Sequence, residues 1–147
     1  MSAEAARILG SRRLPAVTAS DLVWPDVIDD GWVVVDGAVL LAAWFRSYHG
    51  DRSRFRTTTD YELAVNGRGI HDLDLTGTGE ARVRALLRRG VAFAQAALDK
   101  QRHQLPGVIV TARVSAASVL LDPSQFTGYV TFCSRPIDVQ DEIAVSL

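Results

Sequence analysis

Residues 79–103, GEARVRALLRRGVAFAQAALDKQRH, decide the fold. Apolar or small residues fall at Val83, Leu86, Leu87, Gly90, Val91, Ala94, Ala97 and Leu98. That spacing of three and four is the stripe of an amphipathic helix. Arg82, Arg84, Arg88, Arg89, Gln95, Asp99, Lys100 and Arg102 fall mainly on the other faces. Thr78 stands at the N-cap, Glu80 meets the positive end of the helix dipole, and Leu105-Pro106-Gly107 stops the helix. At ~1.5 Å per residue the helix is nearly 40 Å long, enough to lie across a whole sheet.

The sheet is expected on either side of it. Residues 107–120 are rich in β-branched side chains and alternate Val108, Val110, Ala112 and Val114 against Ile109, Thr111, Arg113 and Ser115. Asp122-Pro123-Ser124 marks a turn, and 127–134 reads as the return strand. Upstream, 57–65 and 69–75 read as a second hairpin around Asn66-Gly67. Residues 32–35, WVVV, read as a short strand before Asp36-Gly37, and the Ala/Leu content of 38–48 favours helix, though a buried strand fits nearly as well. The expectation is an α+β fold: an antiparallel sheet of hairpins (about 57–75 and 107–135) packed on one long amphipathic helix (about 79–103). Residues 1–147 are read as one domain. Within it, 1–30 form an N-terminal extension of helix (2–9) plus loop (15–30), and 136–147 a C-terminal tail.

Loop length decides which side chains of the 57–75 hairpin share a face. A two-residue Asn66-Gly67 loop mixes charged and apolar residues on both faces. A three-residue loop places Tyr61, Leu63, His71, Leu73 and Leu75 on one face and Asp60, Glu62, Asp72 and Asp74 on the other. The second register is expected, and it crowds four carboxylates together. Like charges so placed call for solvent, a cation or a basic partner.

Composition excludes several classes. The chain has 147 residues, 16 basic and 17 acidic, a net charge of -1 and 48% apolar residues. Disorder throughout does not fit that content, and near-neutral charge argues against a general nucleic-acid coat. The longest uncharged apolar run, Gly37–Phe45, is far short of a bilayer span, so no membrane role is expected. The start lacks the pattern of a secretory signal, and a single cysteine, Cys133, excludes an intramolecular disulfide. The basic residues are fifteen arginines and Lys100, a bias that suggests a GC-rich genome. A bacterial cytoplasm is the expected home.

Residues with chemical potential are few. His49, His71 and His103 have no zinc-ligand spacing, and no metal or cofactor is expected. His71 and Tyr61, on the core side of the hairpin, are the weak candidates for catalysis. Asp72-Leu73-Asp74 is too common a pattern to indicate a cation, and Cys133 reads as a small sheet residue. Residues 46–56 carry Arg46, Arg52, Arg54 and Arg56 against Asp51. In an extended 52–56 segment the last three arginines would share a side, with Tyr48 and Phe55 interleaved. The like-charge pair Arg84 and Arg88 calls for acidic neighbours, from the hairpin or from Asp26, Asp29 and Asp30.

The leading expectation is a small non-enzymatic protein–protein interaction module, such as an inhibitor, an immunity-type protein or an accessory subunit. Its binding surface would be Asp60, Glu62, Asp72 and Asp74 with Arg46, Arg52, Arg54 and Arg56, facing a protein of complementary charge. The apolar excess leaves room for a homodimer contact. The alternative is a small-molecule-binding domain or small enzyme. Its apolar pocket would lie between sheet and long helix, near His71 and the Trp24–Trp44 segment, with Trp32 between them.

Overall fold

The computed structural model describes residues 2–9, 18–135 and 143–147. Helix α1 (Ala3–Leu9) and, further on, α2 (Pro25–Asp30) precede a hairpin of β1 (Trp32–Val35) and β2 (Ala38–Leu41). Then come α3 (Ala42–Arg46), α4 (Thr58–Val65), the two-residue β3 (Arg68–Gly69), α5 (Gly79–Gln104), β4 (Thr111–Val119), β5 (Asp122–Cys133) and β6 (Ile143–Ser146). The larger sheet has the order β3-β5-β4-β6 with every neighbouring pair antiparallel.

Helix α5 is the predicted one, and all eight residues of its stripe are buried. Leu86, Leu87, Val91 and Leu98 meet Ala112, Val114, Val130 and Phe132 of the sheet in one core. Burying a leucine fully contributes roughly 1.5–3 kcal/mol, so this interface dominates the stability of the fold. Side chains of the sheet and of Ile70 pack directly onto Gly90, where an added Cβ would lie 2.8 Å from Ile70 Cδ1 and 3.3 Å from Val114 Cγ2. The chain is thus an α+β domain, as its sequence predicts. No helix among the described residues is long and apolar enough to cross a membrane.

The β4–β5 hairpin forms as expected, and β1 precedes an Asp36-Gly37 loop with φ of 49° and 79°. Two positive φ values are what a two-residue I′ loop requires, which explains the Asp-Gly pair. Residues 38–48 resolve the helix-or-strand ambiguity by being both, β2 followed at once by α3. Trp32 fastens this hairpin to the long helix: its indole N–H donates to Ala97 O (2.8 Å), and its amide N–H to Gln104 Oε1 (2.9 Å).

The 57–75 hairpin does not form. Residues 58–65 are helix α4, and only Arg68 and Gly69 extend, pairing with Val130 and Tyr129 of β5. The cause is local. The Thr57 hydroxyl accepts from the Asp60 N–H (3.0 Å), a helix N-cap, and Asp60 in the first turn suits the dipole. The buried positions are then Tyr61, Glu62, Val65 and Asn66, a helical set that is half polar.

The termini are also more integrated than expected. Ala5 and Ile8 belong to the main core, and 25–30 is helix rather than loop, with Pro25 in its first turn. Of the predicted 136–147 tail, 136–142 lie outside the described residues, as do 10–17 of the N-terminal segment. Residues 143–146 form β6, which pairs with 113–116 of β4.

Candidate functional site

The eight residues predicted to bind a partner do not make one surface. Glu62 is fully buried. Its carboxylate accepts from the Val39 N–H (2.7 Å), the Ser134 N–H (2.8 Å) and the Ser134 hydroxyl (2.9 Å). Asn66, one turn on, accepts from the Leu41 N–H (2.9 Å) and donates to Val39 O (2.8 Å) and Phe132 O (3.3 Å). The amide of Asn66 thereby satisfies β2 as a neighbouring strand would. Glu62 is therefore a structural tie between hairpin, helix and the end of β5, and it leaves the predicted acidic face. A helical period explains the change: positions 60 and 62 share a face on a strand but lie 200° apart on a helix.

The two acids after β3 are engaged by α5. Arg82 donates to Asp72 Oδ2 (2.7 Å), Leu75 O (2.9 Å) and Phe126 O (2.7 Å). Arg89 grips Asp74 with both terminal nitrogens (2.8 and 2.5 Å) and also donates to His71 O (2.7 Å). The Arg89 contact holds the Asp74 carboxyl down at about 2. Arg88 pairs with Asp21 at 3.2 Å and Arg84 reaches Glu80 at 3.5 Å. The hairpin acids Asp72 and Asp74 thus meet arginines of α5, but Arg82 and Arg89 rather than the like-charge pair Arg84 and Arg88, which reaches Glu80 and Asp21 instead of Asp26, Asp29 or Asp30. Asp60 alone of the four predicted acids is exposed and without an ion pair among the described residues.

The basic segment also divides. Residues 52–54 form a 3-10 turn whose N-cap, Asp51, accepts from the Ser53 N–H (2.9 Å), so 52–56 is not the extended segment predicted. Arg46 pairs with Asp30. Arg52 lies 4.8 Å from the Tyr61 ring centroid and donates to Phe55 O (3.3 Å). Arg54 and Arg56 are exposed, and their side chains make no ion pair or hydrogen bond among the described residues. Tyr48 and Phe55 are turned inward onto Tyr61, at ring separations of 6.1 and 5.5 Å.

Tyr61 and His71, predicted to share a face, sit in different surroundings. Tyr61 is buried in a small second core with Ala38, Leu40 and Val65, and burial pushes its hydroxyl up. His71 is exposed and capped by Trp24, whose indole N–H donates to Nε2 at 3.3 Å. Trp24 and Trp44 pack edge to face 5.4 Å apart, and Phe93 fills the space beside both. Trp24 itself holds a left-handed backbone at φ 52°, a conformation that costs a non-glycine residue about 1–2 kcal/mol. Clefts open beside Leu98 and Leu147, beside Tyr129 and Thr131, and beside Asp21 and Arg88, and none of these is lined by Tyr61 or His71. The Cys133 thiol is buried and donates to Arg135 O; burial, with the Glu62 charge, pushes it up, away from the thiolate a nucleophile needs.

No group of three or more metal-ligating side chains is gathered among the described residues. Sequence reasoning missed Asn66 and Glu62 as a pair. Their spacing of four was visible, but the signal needed was the Thr57-x-x-Asp60 cap that makes the segment a helix. No protein-family model matches the chain, and no curated protein or solved structure is detectably similar to it.

Proposed function

We propose that this protein is a non-enzymatic interaction module that docks an acidic surface of another protein through the exposed 52–56 loop. The observation that carries this reading is the contrast among the arginines. Arg82 and Arg89 of α5, together with Arg46, are closely paired with carboxylates of the same chain, whereas Arg54 and Arg56 make no ion pair among the described residues. Unpaired exposed guanidinium groups suit bidentate contacts to a partner's carboxylates and steer encounter with it. The inward turn of Tyr48 and Phe55 favours a protein partner over nucleic acid, since it removes the rings on which bases would stack.

The test begins with the partner captured by the wild-type chain and identified, then titrated against Arg54→Glu/Arg56→Glu. The expected result is association at least about tenfold slower at low salt, with the difference shrinking as salt rises. Unchanged binding by the double variant at low salt overturns the reading. So does retention of RNA or single-stranded DNA through the same two arginines.

A further inference from the structure

A second surface differs from the loop and does not depend on it. Between α5 and the short 3-10 turn Ala19–Asp21 lies a cleft of about 450 Å³, within the size range of small-molecule sites. Arg84 and Arg88, one helical turn apart, line one wall, and Thr18 and Ser20 line the other. Ala81 and Ala85 contribute the apolar part of the lining.

The charges in this cleft are only partly satisfied. Arg88 Nη2 reaches Asp21 Oδ2 at 3.2 Å, while that carboxylate is held more closely by the Thr18 hydroxyl at 2.6 Å. Arg88 Nε is buried and has no hydrogen-bond partner. A buried N–H left without an acceptor is costly, and natural proteins keep few of them. Arg84 makes a single contact to Glu80 at 3.5 Å, the outer limit of a hydrogen bond, and so keeps most of its donors. With Asp21 counted, the lining carries one net positive charge.

We infer that this cleft binds a small phosphate monoester. Its phosphate oxygens would take the Arg84 guanidinium and, once Asp21 is displaced, the Arg88 guanidinium, and its organic part would lie on Ala81 and Ala85. Guanidinium pairs match phosphate geometry better than single ammonium groups do. Asp21 opposes the ligand's charge and acts as the placeholder that the phosphate displaces from Arg88.

The experiment is titration calorimetry of the full chain at constant ionic strength with O-phosphoserine, serine and inorganic phosphate, supported by amide chemical-shift mapping. Phosphoserine is expected to bind one site per chain, with shifts at 18–21 and 81–88, and serine not at all. Arg84→Gln, at an exposed position, is expected to weaken binding at least about tenfold, and Asp21→Asn to strengthen it several-fold. Arg102→Gln, at the far end of α5, is expected to leave it unchanged. Lack of saturable phosphoserine binding by the wild-type chain overturns the inference without recourse to any variant. Equal affinity for inorganic phosphate overturns the monoester assignment, and an Arg102→Gln loss as large as that of Arg84→Gln reduces the effect to general surface charge.

Discussion

Helices α4 and α5 both pack against sheets, but they do so by opposite means. Helix α5 buries a stripe of apolar side chains. Helix α4 buries a carboxylate and an amide, and each is matched to backbone donors and acceptors of β2 and β5. The first interface is non-directional and tolerant, because apolar burial scales with area. The second is directional and all-or-none, because a buried polar group that loses its partner bears the full desolvation penalty.

Substitutions should separate the two. Phe93→Ala, in the centre of the α5 interface, is expected to cost about 3–5 kcal/mol in denaturant unfolding, since it removes a fully buried ring that touches Trp24, Trp44 and Phe132. Asn66→Leu keeps the branched shape of the side chain and removes its polarity, leaving Leu41 N–H and two carbonyls unpaired. A loss of about 2–4 kcal/mol is expected there. A neutral or stabilising result would break the comparison, because it would show that α4 also packs as an apolar helix. Glu62→Gln keeps one acceptor oxygen but presents an NH₂ group to donors, and about 1–3 kcal/mol should be lost.

The smaller effects concern contact distance and charge. Gly90→Ala improves helix propensity by about 1 kcal/mol in an exposed helix, yet here the new methyl meets Ile70 and Val114. The expected outcome is a net loss of about 1 kcal/mol, and a gain would show that the sheet yields to the helix. The Arg89–Asp74 pair should appear as a pH effect. Asp74 is depressed from 3.8 to about 2, so its contribution is complete above pH 4 and is lost as pH falls towards 2. Asp74→Asn should flatten acid destabilisation in that window alone, and carbon-detected titration of the Asp74 carboxyl should show the low midpoint.

The same contrast explains how far the residues could be read in advance. Val83 to Leu98 repeat at helical spacing over four turns, and no other structure buries all eight, so α5 and the hairpin beneath it were legible. Tyr61 to Val65 were not, because the buried set of α4 with its C-cap, Tyr61, Glu62, Val65 and Asn66, is half polar and a pattern search counts polar as outward. Trusting alternation there moved Glu62 to a surface and set Tyr61 beside His71. The pairing of α5 arginines with acids was foreseeable in kind, since like charges one turn apart need neighbours. The choice of Asp21 for Arg88 and of Asp72 and Asp74 for Arg82 and Arg89 depends on where chain segments far apart in sequence come together.

The side-chain clasp of α4 on β2 also bears on how this protein keeps to itself. An exposed strand edge is a template on which another chain can add a strand, the first step of sheet-to-sheet aggregation. Asn66 and Glu62 occupy the Val39 and Leu41 positions of that edge, so the two-stranded hairpin ends in a helix rather than in open donors. Opening α4 would therefore do more than lower stability, for it would bare an apolar hairpin, Val33 to Leu41, with a free edge. Variants at Asn66 should betray themselves through growing turbidity on storage well before they have unfolded.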